Sequence, residues 1–340
     1  MKQYLSPFFK RPTTSSEWFT LIVLALILSV AAFTRLWNIP GSLEFLGDQG
    51  RDALLVRRMF IDLDPVFIGP VTSVGNMYLG PLYYYFMLPF LMITYPSPVG
   101  PAYAVAVLGI ITTFLIYFFG KEMVGKPAAI MAAALFATNA VFIQYSRFSW
   151  NPNPAPFASL LMVYWTYLAW RKDYKYWALV AVAFSVLIQL HYITLIAAAG
   201  AGIIFLIQLY ETITQKKLFK NVQAPVIPTS VPRLLSMIPL GIIIVLISLT
   251  PLFLFDIKHG GLNVKAFQNL VIKEDNFKST ETSFLGNVVM SLQETQGRSI
   301  HMIGELNFGF NRDLNSLLVG LFTISLIAIL LNTEGFKKHY

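Results

Sequence analysis

The chain has no cysteine and little charge of either sign. Without thiols it has no disulfide, no thiolate nucleophile and no Cys-ligated zinc, although this leaves its compartment open. Charged residues make up 12% of its 340 residues, about half the share of an ordinary soluble domain. This low charge indicates that water is not the only solvent of the protein. A P-loop and a glycine-rich dinucleotide motif are also missing, which disfavours a soluble nucleotide as a substrate.

The chain is rich instead in apolar sequence, because 56% of its residues are hydrophobic and its mean hydropathy is +0.62. The apolar runs are about 17 to 22 residues long, enough to cross a hydrocarbon core of roughly 30 Å as helices. The first run is expected to be retained, since no small-residue cleavage site follows it. We predict an all-α, polytopic transmembrane helical bundle, with residues 1–340 forming a single transmembrane domain. The predicted spans are residues 18–34, 102–120, 127–145, 155–170, 176–190, 194–210, 235–255 and 314–331.

A ninth apolar stretch, residues 79–95, contains Pro81 and Pro89 and suits an uninterrupted lipid-facing helix poorly. If it does not cross, the loops on the N-terminal side hold 14 basic and five acidic residues, and the other side has a net charge of −1. The positive-inside rule expects this asymmetry. We therefore predict about eight spans, an interfacial or re-entrant element at 79–95, both termini in the cytoplasm, and a place in the plasma or inner membrane.

This topology puts two long loops, residues 35–101 and 256–313, on the outer face, together with the short loop 146–154 and the turn at 191–192. Surface loops carry a disproportionate share of binding and catalytic residues. We therefore expect the chemistry at the outer face, with interfacial helices in the first loop.

The first outer loop contains Gly-Asp-Gln-Gly-Arg-Asp at residues 47–52. Asp48 and Asp52 are four residues apart, so in a helix they share a face, where Arg51 or Arg58 can hold a phosphate. A carboxylate at the membrane surface can deprotonate an acceptor hydroxyl. The alternative is an amphipathic surface helix with ion pairs along it, and the spacing alone does not decide between the two.

The short outer loop combines arginine, aromatic and amide side chains, which pack on and hydrogen-bond to a sugar or its phosphate. They are Arg147, Trp150, Asn151 and Asn153. A membrane-interface belt followed by a proline-started helix explains the tryptophan without any ligand. Arg147 is the only charged residue between positions 126 and 171, and a charge at the end of a span usually has a partner or a function.

Five further polar residues lie at outer ends of spans: His191, Tyr192, Asp256, Lys258 and His259. If these ends converge, they form one pocket with the first loop. Lys258 and His259 precede two glycines, which allow close backbone approach to a phosphate. A lone histidine at a helix end is more often a structural hydrogen bonder than a catalyst. No spacing is specific enough for a metal site, so a divalent ion is left open only through the two acids of the first loop, and no cofactor is assigned.

The order of these motifs resembles that of the GT-C glycosyltransferases. The matching features are the acidic motif after the first span, Gly-Pro-Leu-Tyr-Tyr-Tyr at residues 80–85, and Ser-Arg-Phe-Ser-Trp-Asn-Pro-Asn at residues 146–153. The branch that the chain resembles is family 39, the protein-mannosyltransferase and aminoarabinose-transferase type. The resemblance covers most of the chain and is strongest from 35 to 192.

This resemblance implies an inverting enzyme that moves a hexosyl or pentosyl group from a polyprenyl-phosphate donor to an acceptor at the outer membrane face. It implies Asp48 as the general base, with the other outer-face residues named above as substrate contacts. The chain departs from the family where Gln49 replaces a glutamate, and where Asn151 and Asn153 stand in the loop that often holds a second acid. Amides bind sugars but cannot act as bases.

Two other classes of protein use similar groups. A transporter or flippase of lipid-linked sugars would only bind with them, and it typically shows internal repeats and charges near the bilayer midplane; the sequence shows neither. A non-catalytic assembly subunit fits the missing second acid. The expected partners are the lipid bilayer, the lipid-phosphate sugar and an unidentified acceptor, which is a glycan, lipid or protein; no nucleic acid is expected.

Overall fold

The computed structural model describes residues 13–72, 77–216, 218 and 229–272. In these ranges the regular structure is helical, apart from one isolated antiparallel bridge between Val71 and Tyr78. This confirms the predicted all-α bundle. The helices are α1 (Ser15–Leu36), α2 (Ile39–Ser42), α3 (Gly47–Ile61), α4 (Leu82–Thr94), α5 (Val99–Met123), α6 (Lys126–Thr138), α7 (Ala140–Gln144), α8 (Ala155–Arg171), α9 (Trp177–Leu190), α10 (Leu195–Thr214), α11 (Val231–Leu235), α12 (Met237–Ser248), α13 (Thr250–Lys258) and α14 (Leu262–Ile272).

Four helical stretches of the described chain are long and apolar enough to cross a bilayer. They are Ser15–Leu36, Val99–Met123, Leu195–Thr214 and Val231–Ser248, and shorter apolar helices accompany them. The chain is therefore a multi-pass membrane protein by the length and composition of its helices. The number of eight spans stays a prediction, and the span predicted at residues 314–331 lies outside the described residues.

Two predicted spans are interrupted. Residues 127–145 divide at Asn139, whose extended backbone ends α6 and whose side-chain oxygen caps α7 by accepting from the N–H groups of Val141 and Phe142 at 3.0 and 3.2 Å. Asparagine is favoured at this position because it satisfies N–H groups without helical partners. Residues 235–255 divide at Leu249, and Pro251 lies in the first turn of α13, where its missing N–H costs nothing.

The ambiguous stretch 79–95 forms α4, a helix of 13 residues with Pro89 inside it. At 1.5 Å per residue α4 is about 20 Å long, which is short of a hydrocarbon core of roughly 30 Å. On one face Tyr83, Tyr84 and Met87 are fully buried. That face packs into the main apolar core with residues of α3, α8 and α9, so α3 and α4 are firmly attached to the bundle.

The C-terminal end of α1 is held by a buried arginine. The loops at residues 35–101, 146–154 and 256–313 keep the name outer loops below as a label, and their side of the membrane stays a prediction. The Arg35 side chain is completely buried, and its guanidinium donates to the carbonyl oxygens of Phe136 (2.9 Å) and Ala137 (3.0 Å) in the last turn of α6. It also lies over the Phe136 ring. Because the last carbonyls of a helix lack partners within it and carry partial negative charge, Arg35 caps α6 from α1 and fixes where the first outer loop starts.

Candidate active site

Helix α3 carries the acidic motif of the first outer loop. In its first turn the Gln49 side-chain oxygen accepts a hydrogen bond from the Leu46 N–H at 2.9 Å. The buried face of α3 consists of Gln49, Asp52, Val56 and Met59. Asp48 lies off this face, and 52% of its side chain is exposed. The first acid of the motif is therefore accessible, and the second is turned toward the core.

Arg51 joins the two acids. Its Nη1 donates to Asp48 Oδ1 at 2.9 Å, and its Nε and Nη2 donate to Asp52 Oδ1 at 3.0 and 2.8 Å. The Arg51 side chain is 44% exposed, whereas that of Asp52 is 2% exposed. Burial raises the pKa of the Asp52 carboxyl above its usual range, although Arg51 opposes this shift. The predicted helix with ion pairs is present, and it places a charged pair at the surface over a buried acid.

Two adjacent tyrosines of α4 connect this helix to the short outer loop. The Tyr84 hydroxyl donates to Asp52 Oδ1 at 3.1 Å. The Tyr83 hydroxyl shares a buried hydrogen bond of 2.5 Å with the Ser149 hydroxyl. The acidic motif and the loop 146–154 are therefore linked through two neighbouring side chains. Sequence reasoning missed the roles of both tyrosines and of Ser149, although the Tyr-Tyr-Tyr run in an otherwise apolar stretch was a signal.

The amides of the short loop are used within the protein. Asn151 is buried, and its side-chain amide donates to the Leu190 carbonyl oxygen. The Asn153 amide donates to the Phe148 carbonyl oxygen at 2.8 Å. The Trp150 ring lies 6.4 Å from the Phe148 ring. Asn151 thus ties this loop to the end of α9, directly before His191, whereas the convergence of all these ends into one pocket stays a prediction.

Arg147 has structural partners at the end of α1. Its Nη1 donates to the Thr34 carbonyl oxygen, and its Nη2 donates to the Trp37 carbonyl oxygen, both at 2.7 Å. Nη2 also contacts the Ser42 hydroxyl. Arg147 therefore caps α1 from the short loop, as Arg35 caps α6 from α1. These bonds explain the presence of Arg147 without a substrate, and its role as a substrate contact stays a prediction.

His191 and Tyr192 lie directly after α9, with ring centroids 4.5 Å apart. Burial lowers the pKa of the His191 imidazole below its usual value of about 6.5. Burial therefore favours the neutral ring, which can offer a hydrogen bond to a ligand.

The second long loop was predicted to begin at Asp256, but this residue lies in the last turn of α13, from which it caps α14. Asp256 is buried, and its Oδ1 accepts from the Asn263 N–H at 2.6 Å. The Asn263 side chain pairs with the Tyr78 backbone, accepting from its N–H at 2.8 Å and donating to its carbonyl oxygen at 3.2 Å. This contact brings the start of the second loop against the first, while Lys258 and His259 are exposed. Residues 273–313 of this loop lie outside the described residues.

Gln189 is a further polar residue of this region that sequence reasoning missed. It is buried in α9, and its amide donates to the Ser185 carbonyl oxygen (3.0 Å) and to the Ser248 hydroxyl of α12 (2.8 Å). A Cβ on Gly80 would lie 2.2 Å from the Gln189 side-chain oxygen. A glycine at position 80 therefore allows the segment just before α4 to approach α9 closely. The only sequence signal was a polar residue at the end of an apolar run.

An apolar cavity of about 860 Å³ opens among α8, α9, α10 and α12. Its lining includes Trp177, Phe184, Gly202, Phe205 and Gly241. Gln189 and Ser248, which lie near the C-terminal ends of α9 and α12, connect the two helices beyond the cavity. Among the residues that the structure describes, no three His, Asp or Glu side chains are grouped to hold a metal ion.

The central part of the chain, residues 79–235, matches the family model Dolichyl-phosphate-mannose-protein mannosyltransferase. This match confirms the resemblance to the protein-mannosyltransferase type of GT-C glycosyltransferase that the motifs indicated. It covers α4, the short outer loop and the turn at His191, but it begins after the acidic motif of α3. No curated protein matches the chain.

Solved structures with a similar arrangement include two of an archaeal oligosaccharyltransferase from Archaeoglobus fulgidus. One, AglB in complex with an inhibitory peptide and a dolichol-phosphate, has 16% sequence identity and a TM-score of 0.47, and the match covers 89% of this chain. The other, in the apo form, has 17% identity and a TM-score of 0.46 over 90% of this chain. This chain spans 39% of the length of either protein.

Proposed function

We propose that this protein is a membrane glycosyltransferase that takes a sugar from a polyprenyl-phosphate donor and transfers it, with inversion, to an acceptor at the outer face. The observation that carries the proposal is the pair of half-exposed side chains Asp48 and Arg51, fixed over the buried Asp52. A carboxylate and a guanidinium in contact supply the two groups that the reaction needs: a base for the acceptor hydroxyl and a cation for the phosphate. The family match of residues 79–235 supports the same reaction.

In this reaction Asp48 accepts the proton of the acceptor hydroxyl as its oxygen attacks the sugar. The phosphate leaves as an anion, and in this proposal Arg51 binds that charge. Arg58 is exposed and contacts Asp64, and Lys258 is exposed at the end of α13; both remain proposed secondary contacts. Incubating the purified protein with radiolabelled polyprenyl-phosphate sugars and membrane extracts tests the proposal. A folded protein that transfers no sugar from any such donor would contradict it.

The apolar cavity supports a lipid-linked donor. Its lining is almost wholly aliphatic and aromatic, so a polar sugar nucleotide would lose hydrogen bonds there, whereas a prenyl chain would not. Gly202 of α10 and Gly241 of α12 both contribute to its wall. We propose that the prenyl chain of the donor lies in this cavity while its phosphate reaches the outer site.

Filling the cavity should weaken donor binding. We expect Gly202→Phe to reduce the affinity for polyprenyl phosphate at least about tenfold, because a Cβ at this position meets no atom within 4 Å and the ring enters the cavity. The matched control is Gly200→Phe, two residues earlier on α10, where a Cβ also meets open space but does not line the cavity. Binding is measured by titration in detergent. Equal affinities of the two variants would place the prenyl chain elsewhere.

The topology is testable because the chain has no native cysteine. We expect Leu63→Cys, in the first outer loop, to react with a membrane-impermeant maleimide on intact cells, since Leu63 is 80% exposed. Lys175→Cys, in the exposed turn after α8, should react only after permeabilisation. Gel-shift labelling measures both. Labelling of Lys175→Cys on intact cells would reverse the proposed orientation and move the site to the cytoplasmic face.

A further inference from the structure

Asp52 is a buried acid that the proposed reaction does not use directly. Its side chain is 2% exposed, and its Oδ1 accepts three hydrogen bonds, two from Arg51 and one from the Tyr84 hydroxyl. Its Oδ2 is buried and has no hydrogen-bond partner in the described part of the chain. A buried ion pair is weak evidence for a gain in stability, because desolvation of the charges opposes their attraction. An unsatisfied buried oxygen adds to that cost, so Asp52 is better explained by what it holds in place.

What Asp52 holds in place is the Arg51 guanidinium. An arginine has five N–H donors in one rigid plane. Two of those of Arg51 are used on Asp52, on Nε and Nη2, and one on Asp48, on Nη1. One N–H therefore remains on each terminal nitrogen of a half-exposed side chain. Because Asp52 itself is fixed by Tyr84 in the packed core, these buried residues determine the orientation of the remaining Arg51 donors.

We propose that Asp52, supported by Tyr84, is a positioning residue that orients Arg51 to bind Asp48 and the donor phosphate together; this rests on the proposed function. In the reaction the acceptor oxygen bonds to the anomeric carbon and its proton passes to Asp48. The bond from that carbon to the phosphate oxygen breaks, and its electron pair stays on the phosphate. Negative charge thus leaves Asp48 and grows on the phosphate, and an anchored Arg51 stabilises both states without reorganising.

A double-mutant cycle tests this inference. We expect Asp52→Asn to weaken binding of polyprenyl monophosphate and to lower kcat/KM by about 10- to 100-fold, because small displacements of a positioned group have effects of that size. In the Arg51→Gln background, Asp52→Asn should have almost no further effect, since residues that act through one another are not additive. Tyr84→Phe should act in the same direction with a smaller loss. Binding is measured by titration in detergent, and kcat and KM by sugar transfer.

The controls separate positioning from folding. Asp62→Asn changes an exposed acid just after α3 and should leave both readouts unchanged. If Asp52→Asn does not fold, Tyr84→Phe keeps the buried ring and removes only the hydroxyl bond to Asp52. The inference is wrong if these variants bind and react like the wild type, or if their losses are the same with and without Arg51. A wild-type chain that neither binds nor transfers would refute the proposed function, and this inference with it; wild-type transfer with an additive cycle refutes the inference alone.

Discussion

Asp48→Asn should lower the rate of sugar transfer by at least about 100-fold and leave the fold intact. The amide keeps the size of the side chain and can still accept a hydrogen bond from Arg51, but it cannot take a proton from the acceptor hydroxyl. General-base catalysis typically contributes about 10²- to 10⁴-fold, so we expect kcat to fall by that factor. Because 52% of the Asp48 side chain is exposed, the substitution removes no buried contact. The measurement is kcat with a radiolabelled polyprenyl-phosphate sugar.

The control for this experiment is Asp62→Asn, which changes an exposed carboxylate near the end of the same helix. Both variants should elute as single species in detergent and bind polyprenyl phosphate. Full activity of Asp48→Asn would remove Asp48 as the base. In that event the other acid of the motif, Asp52, would be the next candidate, even though it is buried. Loss of activity in both variants would point to a general effect of charge at the membrane surface.

Arg35→Met should destabilise the bundle more than any exposed substitution. The methionine fills most of the apolar volume, but the carbonyl oxygens of Phe136 and Ala137 lose their donors in a buried place. Each unsatisfied buried acceptor costs about 1 to 3 kcal/mol. We expect a loss of about 3 kcal/mol in the free energy of unfolding, which corresponds to a melting temperature lower by roughly 5 °C. Thermal unfolding in detergent measures it.

Arg57→Met is the matched control, because Arg57 is a partly exposed arginine whose side chain bonds to the Tyr95 hydroxyl. Its loss should change the free energy of unfolding by no more than about 0.5 kcal/mol. If Arg35→Met unfolds at the same temperature as this control, the cap of α6 contributes little. The attachment of the first outer loop would then depend on apolar packing alone.

The membrane-spanning class and the helical fold of this chain were predictable from the sequence. The mean hydropathy of about 20 consecutive residues indicates whether a segment lies in lipid or in water. The breaks at Asn139 and Leu249 were not read correctly, since the apolar composition continues through them. The α4 stretch was recognised as unusual from its prolines. The acidic motif was found because its residues are close together in the sequence, and a spacing of four residues keeps them neighbours in a helix.

Only the tertiary structure decided which acid is exposed and which is buried, and what each arginine binds. Asp48 and Asp52 are alike in the sequence, but the face of α3 that packs on α4 buries only the second. Arg147 and its acceptor Trp37 are 110 residues apart in the chain, and Arg35 lies 102 residues from Ala137. Hydrogen-bond partners at such separations depend on how the helices pack. Local sequence patterns determined the helices and their membrane environment, whereas helix packing determined the geometry of the site.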